Sequence, residues 1–159
     1  MMSEEIAEVY TDGSCHTQQK LGTWVAIVFT DKGKKVLSGT VKDTTHNRME
    51  LTAVLNALEY IKTHHENITT INVYTDSQYV TGLPVRKKKI TAADFSVGTG
   101  NIMQNADLVN GFFETLQGLT IELVKVKAHQ KKTDEINYNR EADMLSRKLL
   151  RNAVEEIIV

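Results

Sequence analysis

The sequence predicts an α/β fold, a five-stranded mixed sheet with helices on both faces. Three strand-like segments follow one another with connections too short for a crossover, so they should form an antiparallel meander. Two later strand-like segments each follow a helical pattern, which predicts that they join the sheet parallel to the first strand. The predicted order along the chain is therefore β-β-β-α-β-α-α-β-α.

The strands are predicted from short runs that are rich in β-branched and aromatic residues. Asp31-Lys32-Gly33, between the second and third run, has the turn chemistry of a hairpin. The predicted strands cover residues 6–11, 23–30, 34–41, 71–75 and 120–128.

The clearest helix is predicted over residues 47–61, where apolar residues recur at helical spacing and form one stripe. Its members are Leu51, Val54, Leu55, Leu58 and Ile61. A second helix from Ser77 should end near Leu83, because the residue before Pro84 disfavours the helical conformation. Two more helices are predicted over 107–116 and 137–156.

Length and composition predict a single domain spanning residues 1–159. The net charge of −1 means that any nucleic-acid signal must be local. The single cysteine, Cys15, excludes an internal disulfide and a multi-cysteine zinc site, and fits a reducing compartment. No apolar run has the length of a signal peptide or membrane span. We expect a soluble, cytoplasmic monomer without membrane contact.

A repeated tetrapeptide marks the candidate site. Val-Tyr-Thr-Asp occurs at 9–12 and again at 73–76, each time as an apolar run ending in an aspartate. In a sheet of this kind, ligands bind beyond the carboxyl ends of the parallel strands. If the two strands are neighbours, Asp12 and Asp76 each sit where their strand ends and emerge side by side. The repeat is then convergent, delivering two carboxylates to one place.

Each candidate carboxylate also has a simpler interpretation. Asp12 followed by glycine could be a turn, and Asp76 could cap the helix that begins at Ser77. Asn47 and Glu50 match a capping box, in which Glu50 reaches back to the helix start. Asp143, one turn beyond Asn139 on the last helix, could be a solvated helical aspartate.

Four converging carboxylates would need a cation. Two unit charges about 4 Å apart repel by about 4 kcal/mol at an effective dielectric constant near 20. Either some carboxylates stay protonated or a cation neutralises them. Oxygen ligands without a histidine or thiolate cluster favour Mg²⁺ or Mn²⁺. Two such ions about 4 Å apart activate a water and stabilise the leaving oxygen of a phosphodiester.

The chain resembles the type I ribonucleases H over nearly its whole length. The resemblance rests on the order of five stretches: YTDGSC (10–15), NRMEL (47–51), YTDSQYV (74–80), KAHQ (127–130) and NREAD (139–143). It implies a ribonuclease H-like fold and cleavage of the RNA strand of RNA/DNA hybrids, leaving 5′-phosphate and 3′-hydroxyl ends. It also implies two Mg²⁺ ions with substrate, with Mn²⁺ as a substitute.

The resemblance assigns roles to particular residues. Asp12, Glu50, Asp76 and Asp143 become metal ligands, and His129 becomes an auxiliary catalytic group in proton transfer or product release. Substrate contacts are implied for the groove, for phosphates and for the DNA strand. Cys15, Asn47 and Gln78 would line the groove, and Thr45 and Arg48 would contact phosphates. The basic run Arg86, Lys87, Lys88 and Lys89 would hold the DNA strand, and Asn139 would also contact substrate.

Three competing interpretations remain. His46 and Gln18 stand where relatives often carry asparagine, and the basic run lacks the family's tryptophans, so another duplex such as double-stranded RNA or a DNA junction is an alternative substrate. A silent hybrid-binding module is the second alternative, against which the intact acidic quartet argues. A sugar kinase or actin-like ATPase shares the sheet order, but it needs two lobes, for which 159 residues are too few.

Overall fold

The computed structural model describes residues 5–98, 100–128, 130–131, 133 and 135–158. Five strands form one sheet in the order β3-β2-β1-β4-β5. The antiparallel part is β1 (Ile6–His16), β2 (Leu21–Thr30) and β3 (Gly33–Lys42). The parallel part adds β4 (Thr70–Thr75) beside β1, and β5 (Thr120–Lys125) beside β4. The predicted mixed sheet is confirmed.

Four helices complete the described chain: α1 (His46–His64), α2 (Gln78–Ala92), α3 (Ala106–Thr115) and α4 (Tyr138–Ile158). The predicted order of strands and helices is confirmed. No helix in the described ranges is both long and apolar enough to cross a bilayer.

The main core lies between α1 and one face of the sheet. All five residues of the predicted stripe on α1 are buried there, against alternate residues of β1 and β2. On β2 these are Ala26 and Val28, whereas Val25 and Ile27 point to the opposite face. This alternation follows from the two-residue period of a strand. Both faces of β2 are therefore covered.

The second face is covered by α4. Ala142 of α4 is fully buried with Val25 and Ile27, and Leu145 and Leu149 pack against the same cluster. The helices therefore lie on both faces of the sheet, as the sequence predicts, and α4 brings its first turns over the middle of β1 and β2.

The predicted end of α2 near Pro84 is wrong. The helix continues through Pro84 to Ala92. A proline inside a helix removes one backbone hydrogen bond and costs about 3 kcal/mol. Val80, Leu83 and Ile90 lie on one face of α2 and are buried, two before the proline and one after it. Burial of this face offsets the local cost, which the sequence pattern around Pro84 did not reveal.

Two strand ends also differ from the prediction. β1 continues five residues past Thr11 to His16, because Asp12 to His16 remain paired with β2. β5 ends at Lys125, where its pairing with β4 ends, and not at Ala128.

Candidate active site

The two Val-Tyr-Thr-Asp copies lie side by side in register. β1 and β4 are parallel neighbours, with Val9 opposite Val73 and Tyr10 opposite Tyr74. The two tyrosine rings stack with centroids 4.7 Å apart and planes 11° from parallel. The same register places Asp12 and Asp76 at equivalent positions just beyond this ladder. The predicted convergence of the two aspartates is therefore what the structure displays.

Asp12 does not end a strand, and in this the prediction was wrong. It lies inside β1, opposite Val25 of β2, while the pairing with β4 stops two residues earlier at Tyr10. The interpretation of Asp12-Gly13 as a turn is wrong for the same reason. Asp12 is 5% exposed and sits where the parallel pairing opens, so its carboxylate faces the crevice while its backbone stays fixed by β2.

Gly13 allows the start of α1 to approach β1. A Cβ on Gly13 would lie 2.6 Å from the backbone nitrogen of Glu50 and 2.7 Å from the carbonyl carbon of Met49. The Gly13 N–H donates a hydrogen bond to Glu50 Oε1 at 3.0 Å. The glycine next to Asp12 therefore brings a second carboxylate to the same place.

Glu50 does not belong to a capping box. The N-cap of α1 is Thr45, whose hydroxyl accepts from the Arg48 N–H, and Asn47 lies inside the helix. The Glu50 side chain is fully buried, with His46 Nε2 3.3 Å from Oε1. Its second oxygen, Oε2, is buried and has no hydrogen-bond partner among the described residues. An unpartnered buried carboxylate oxygen is costly unless a ligand compensates it.

Asp76 is not the cap of α2. The N-cap is Ser77, whose hydroxyl accepts from the Val80 N–H at 3.2 Å. Asp76 directly precedes the cap, at the carboxyl end of β4, and one of its oxygens joins a cluster with oxygens of Asp12 and Glu50 in which all lie within 4.8 Å of one another. Such a group is large enough and close enough to share one metal ion.

Asp143 is placed by α4 and is buried, so it is not a solvated helical aspartate. It lines the same pocket as Asp12 and Asp76. Arg147, one turn later, approaches Asp143 Oδ2 to 3.3 Å. The structure thus brings the four predicted carboxylates to one region, three of them within ligand-sharing distance and the fourth on the neighbouring wall.

The electrostatics of this region follow from burial and like charges. The pKa of Asp12 is raised to about 8, first by burial and then by the charge of Glu50, while the hydrogen bond from Ser146 lowers it. The pKa of Glu50 is also raised, mainly by burial. The pKa of His46 is raised by its hydrogen bond with Glu50. The raised pKa of Asp12 favours a protonated Asp12 carboxyl at neutral pH when no metal is bound, and a divalent cation bound there would displace that proton.

The three predicted groove residues lie beside the carboxylates. Cys15, Asn47 and Gln78 line one groove together with Asp12 and Asp76. Cys15 is partly buried on β1, and its thiol donates to the Thr44 carbonyl at 3.6 Å. Polar groups from two helices and a strand thus flank the cluster on one side.

The predicted phosphate contacts have intramolecular partners. The Thr45 hydroxyl caps α1. Arg48 forms a two-pronged ion pair with Asp107 of α3, with nitrogen–oxygen distances of 3.0 and 2.9 Å, and also contacts Asn105. Arg48 therefore ties α1 to α3, and a phosphate would have to share or displace Asp107.

The basic run forms part of α2. Arg86, Lys87, Lys88 and Lys89 lie on the exposed side of α2, beyond Pro84. Lys87 Nζ sits 5.7 Å from the centroid of the Phe113 ring. Arg86 and Lys89 line a different surface pocket from the one that contains the carboxylates. The run is thus an exposed helical surface of positive charge.

The last two predicted residues lie near the start of α4. Asn139 lines the pocket with Asp12, Asp76 and Asp143, and its buried Oδ1 lacks a hydrogen-bond partner within the described ranges. His129 lies outside the described residues, so its role stays a prediction.

The structure adds residues that the sequence reasoning missed. His46 contacts Glu50, and Arg147 contacts Asp143, in each case four residues along a helix. The spacing of i and i+4 on a helix was the signal that could have found both. Ser146, which bonds to Asp12 across 134 residues of sequence, has no such local signal.

Fold and site together define a class of protein. It is an α/β scaffold with a cluster of carboxylates beyond the ends of its parallel strands, and such oxygen ligands suit hard divalent cations. The family model described as RNase H matches residues 4–151. The chain belongs to the ribonuclease H family, metal-dependent hydrolases that cut RNA within RNA/DNA hybrids. The sugar-kinase and actin-like alternative is therefore excluded.

Relatives agree with this assignment, and a solved structure shares the fold. The chain is 33% identical over 153 residues to a ribonuclease H from Wolbachia sp. subsp. Drosophila simulans, covering 96% of this chain and all of that one. It is 35% identical to a ribonuclease H from Ehrlichia canis, covering 92% and 97%. The crystal structure of LC9-RNase H1, a type 1 RNase H with the type 2 active-site motif, superposes with a TM-score of 0.76 at 21% identity. The superposition covers 93% of this chain and 73% of the LC9-RNase H1 chain, and it supports the fold described above.

Proposed function

We propose that this protein is an endonuclease that hydrolyses the RNA strand of RNA/DNA hybrids by a two-metal-ion mechanism, leaving 5′-phosphate and 3′-hydroxyl ends. It acts as a single-domain cytoplasmic monomer. The observation that carries the proposal is the cluster of Asp12, Glu50 and Asp76 oxygens within 4.8 Å of one another, at the point where the two in-register repeats end.

The residues present fit a divalent metal. Asp12, Glu50, Asp76 and Asp143 would hold Mg²⁺, with Mn²⁺ as a substitute, because all the donors are hard oxygens. The buried, unpartnered Oε2 of Glu50 supports a ligand at this point. When bound, the metal supplies charge stabilisation for the phosphodiester and lowers the pKa of an attacking water. The chain itself supplies the fixed carboxylates and a partly enclosed crevice.

Recognition of the hybrid is proposed for the groove beside the carboxylates. RNA displays 2′-hydroxyls in a wide, shallow minor groove, where polar side chains can contact them. Cys15, Asn47 and Gln78 line the groove and provide a thiol and two amides for such contacts. A preference for hybrids would follow if the groove contacts hydroxyls on one strand only.

Backbone contacts complete the proposed substrate path. Thr45 and Arg48 at the start of α1 would contact phosphates, Arg48 sharing its guanidinium with Asp107. Arg86, Lys87, Lys88 and Lys89 on α2 would hold the DNA strand through charge. Asn139 would contact substrate beside Asp143, and His129 would act in proton transfer or product release.

Two alternatives differ from the proposal, one in the duplex that is cleaved and the other in the absence of any cleavage. A nuclease for another duplex would use the same metal site with other groove contacts. A silent hybrid-binding module would retain the carboxylates without using them, although a buried carboxylate oxygen such as Glu50 Oε2, which has no partner among the described residues, costs folding free energy. The cluster around Glu50 therefore favours a catalytic use.

The test is cleavage of end-labelled substrates by the purified protein. An RNA/DNA hybrid is incubated with Mg²⁺, with Mn²⁺ and with EDTA, beside single-stranded RNA, double-stranded RNA and double-stranded DNA. The proposal expects metal-dependent cutting of the RNA strand in the hybrid alone, with new 5′ ends that polynucleotide kinase labels only after phosphatase treatment. Cutting of another duplex would mean that this duplex, and not the hybrid, is the substrate. Binding of the hybrid without cutting would mean that the protein is a silent binding module.

A further inference from the structure

The hydroxyl of Ser146 connects two of the carboxylate-bearing elements. Ser146 lies on α4, three residues after Asp143, and its side chain reaches β1. Its Oγ lies 2.6 Å from Asp12 Oδ2, 2.9 Å from Ser14 Oγ and 3.1 Å from the Asp143 carbonyl oxygen. Ser146 is fully buried, and Ser14 and Asp12 are nearly so. The Ser146, Ser14 and Asp12 side chains therefore form a polar cluster that is enclosed within the protein.

The single proton of the Ser146 hydroxyl has a preferred direction in the ionised site. A hydrogen bond to a carboxylate is shorter and stronger than one to a neutral carbonyl. The contact to Asp12 is also shorter than that to the Asp143 carbonyl, 2.6 Å against 3.1 Å. Ser146 therefore donates to Asp12, and Ser14 donates to Ser146. The result is a two-hydroxyl chain that ends on one oxygen of Asp12.

This chain leaves the other oxygen of Asp12 available. Among the described residues, Oδ2 accepts the bond from Ser146, and Oδ1 accepts none. Fixing one carboxylate oxygen restricts rotation of the Asp12 side chain before a cation binds. Without this hydrogen bond, cation binding itself would have to restrict that rotation. Groups that bond to metal ligands in this way commonly change metal affinity by about 10- to 100-fold when they are removed.

We propose that Ser146 is a positioning residue for the divalent-metal site: its hydroxyl, itself oriented by Ser14, fixes the Asp12 carboxylate for metal binding. The inference rests on the proposed function, because it takes Asp12 as a metal ligand. Ser146 does not contact substrate or the reacting atoms. It acts through Asp12 alone, so its effect appears in metal affinity before it appears in chemistry.

Thr23 offers a matched control variant. Its hydroxyl donates to the Ser146 backbone carbonyl at 2.7 Å, and Thr23 is as fully buried as Ser146. Thr23→Val preserves the shape of the side chain and removes one buried hydrogen bond at the same contact between β2 and α4. It leaves the Ser146 hydroxyl in place, so a general loosening of α4 would appear in both variants.

The experiment measures Mn²⁺ binding to metal-free protein by isothermal titration calorimetry for wild type, Ser146→Ala and Thr23→Val, with Ser14→Ala as a second test of the hydroxyl chain. Circular dichroism confirms that each variant folds. Alanine is the best helix former, so Ser146→Ala is expected to fold. The Mg²⁺ concentration that gives half-maximal hybrid cleavage is measured in parallel.

The expected result is a Mn²⁺ dissociation constant about 10-fold or more higher for Ser146→Ala, and within about twofold of wild type for Thr23→Val. Ser14→Ala should shift in the same direction by a smaller factor. Cleavage by Ser146→Ala should approach the wild-type rate at saturating Mg²⁺. The proposal is overturned if Ser146→Ala binds Mn²⁺ within fivefold of Thr23→Val, or if Ser14→Ala has no effect and Ser146→Ala does not fold.

Asp76→Asn separates this inference from the proposed function. If Asp76→Asn leaves Mn²⁺ binding unchanged, the carboxylate cluster is not the metal site, and both proposals fail. If Asp76→Asn abolishes binding while Ser146→Ala binds like Thr23→Val, the metal site stands and only the role of Ser146 is wrong.

Discussion

The backbone N–H of Gly13 donates a hydrogen bond to Oε1 of Glu50 at 3.0 Å, although 37 residues separate them in sequence. This bond holds the N-terminal part of α1 against β1 at the residue that follows Asp12. It depends on the absence of a side chain at Gly13, because backbone atoms of Met49 and Glu50 occupy the space that a Cβ would need.

Gly13→Ala is therefore expected to separate α1 from β1. A Cβ at 2.6 Å from a backbone nitrogen cannot be accommodated by rotating a side chain, so the helix start must move. Overpacking of this kind costs about 1–3 kcal/mol, and displacement of Glu50 should lower hybrid cleavage by at least about 100-fold. Thermal unfolding and initial cleavage rates measure the two effects.

Gly111→Ala on α3 is the matched control, because nothing lies within 4 Å of the position that its Cβ would occupy. The same change there should raise stability by about 0.5–1 kcal/mol and leave cleavage unaltered. Wild-type activity in Gly13→Ala would show that the close approach of α1 is dispensable.

Asp76→Asn should abolish metal-dependent cleavage while the protein still folds and binds the hybrid. The substitution removes one negative oxygen from the cluster and keeps the size of the side chain, while Ser77 continues to cap α2. Loss of the ligand should remove the charge stabilisation and water activation that the metal supplies, so the rate should fall by far more than about tenfold. The checks are cleavage rates in Mg²⁺ and hybrid binding in the presence of Ca²⁺, and cleavage at the wild-type rate would contradict the site assignment.

Metal-free protein should become less stable as pH rises from about 4 to about 8. The folded protein holds a proton on the Asp12 carboxyl, whose pKa is raised to about 8 from 3.8, by burial first and by Glu50 second. The unfolded chain releases that proton at much lower pH. Folding therefore takes up a proton in this window, and the stabilisation present below the unfolded pKa is lost as pH approaches the folded pKa.

Asp12→Asn isolates this effect. In EDTA at pH 8 the variant should be more stable than wild type by about 1–2 kcal/mol, or about 2–8 °C in melting temperature, because it removes a buried negative charge. At pH 4 the two proteins should melt at nearly the same temperature. Added Mg²⁺ should stabilise wild type and not the variant. Parallel melting curves at the two pH values would refute the prediction.

The sequence was informative where local pattern decides the structure. Strand composition and connection length predict which segments pair, and the in-register repeat then brings Asp12 beside Asp76. The end of α2 was mispredicted because burial of Ile90 outweighs the local preference of Pro84. The bond between Ser146 and Asp12 spans 134 residues, and no local spacing encodes it. Long-range contacts of this kind follow only from the packed position of α4.

The exposed lysines of α2 give the final prediction. Lys88 and Lys89 lie on α2 and are exposed to solvent, and we expect them to neutralise phosphates of the DNA strand. Lys88→Ala/Lys89→Ala should then weaken hybrid binding by about 10-fold near 0.1 M salt and reduce the slope of log affinity against log salt by about 1–2. Fluorescence anisotropy in Ca²⁺ over a range of NaCl concentrations measures both quantities.

Lys35→Ala/Lys42→Ala on β3 is the control, because it removes the same charge from two other exposed positions. If the lysines of α2 contact the DNA strand directly, the slope of log affinity against log salt for this control should equal that of wild type. Equal loss in both double variants would mean that only the net charge of the protein matters. The contrast between α2 and β3 therefore decides whether the helical basic surface lies on the path of the DNA strand.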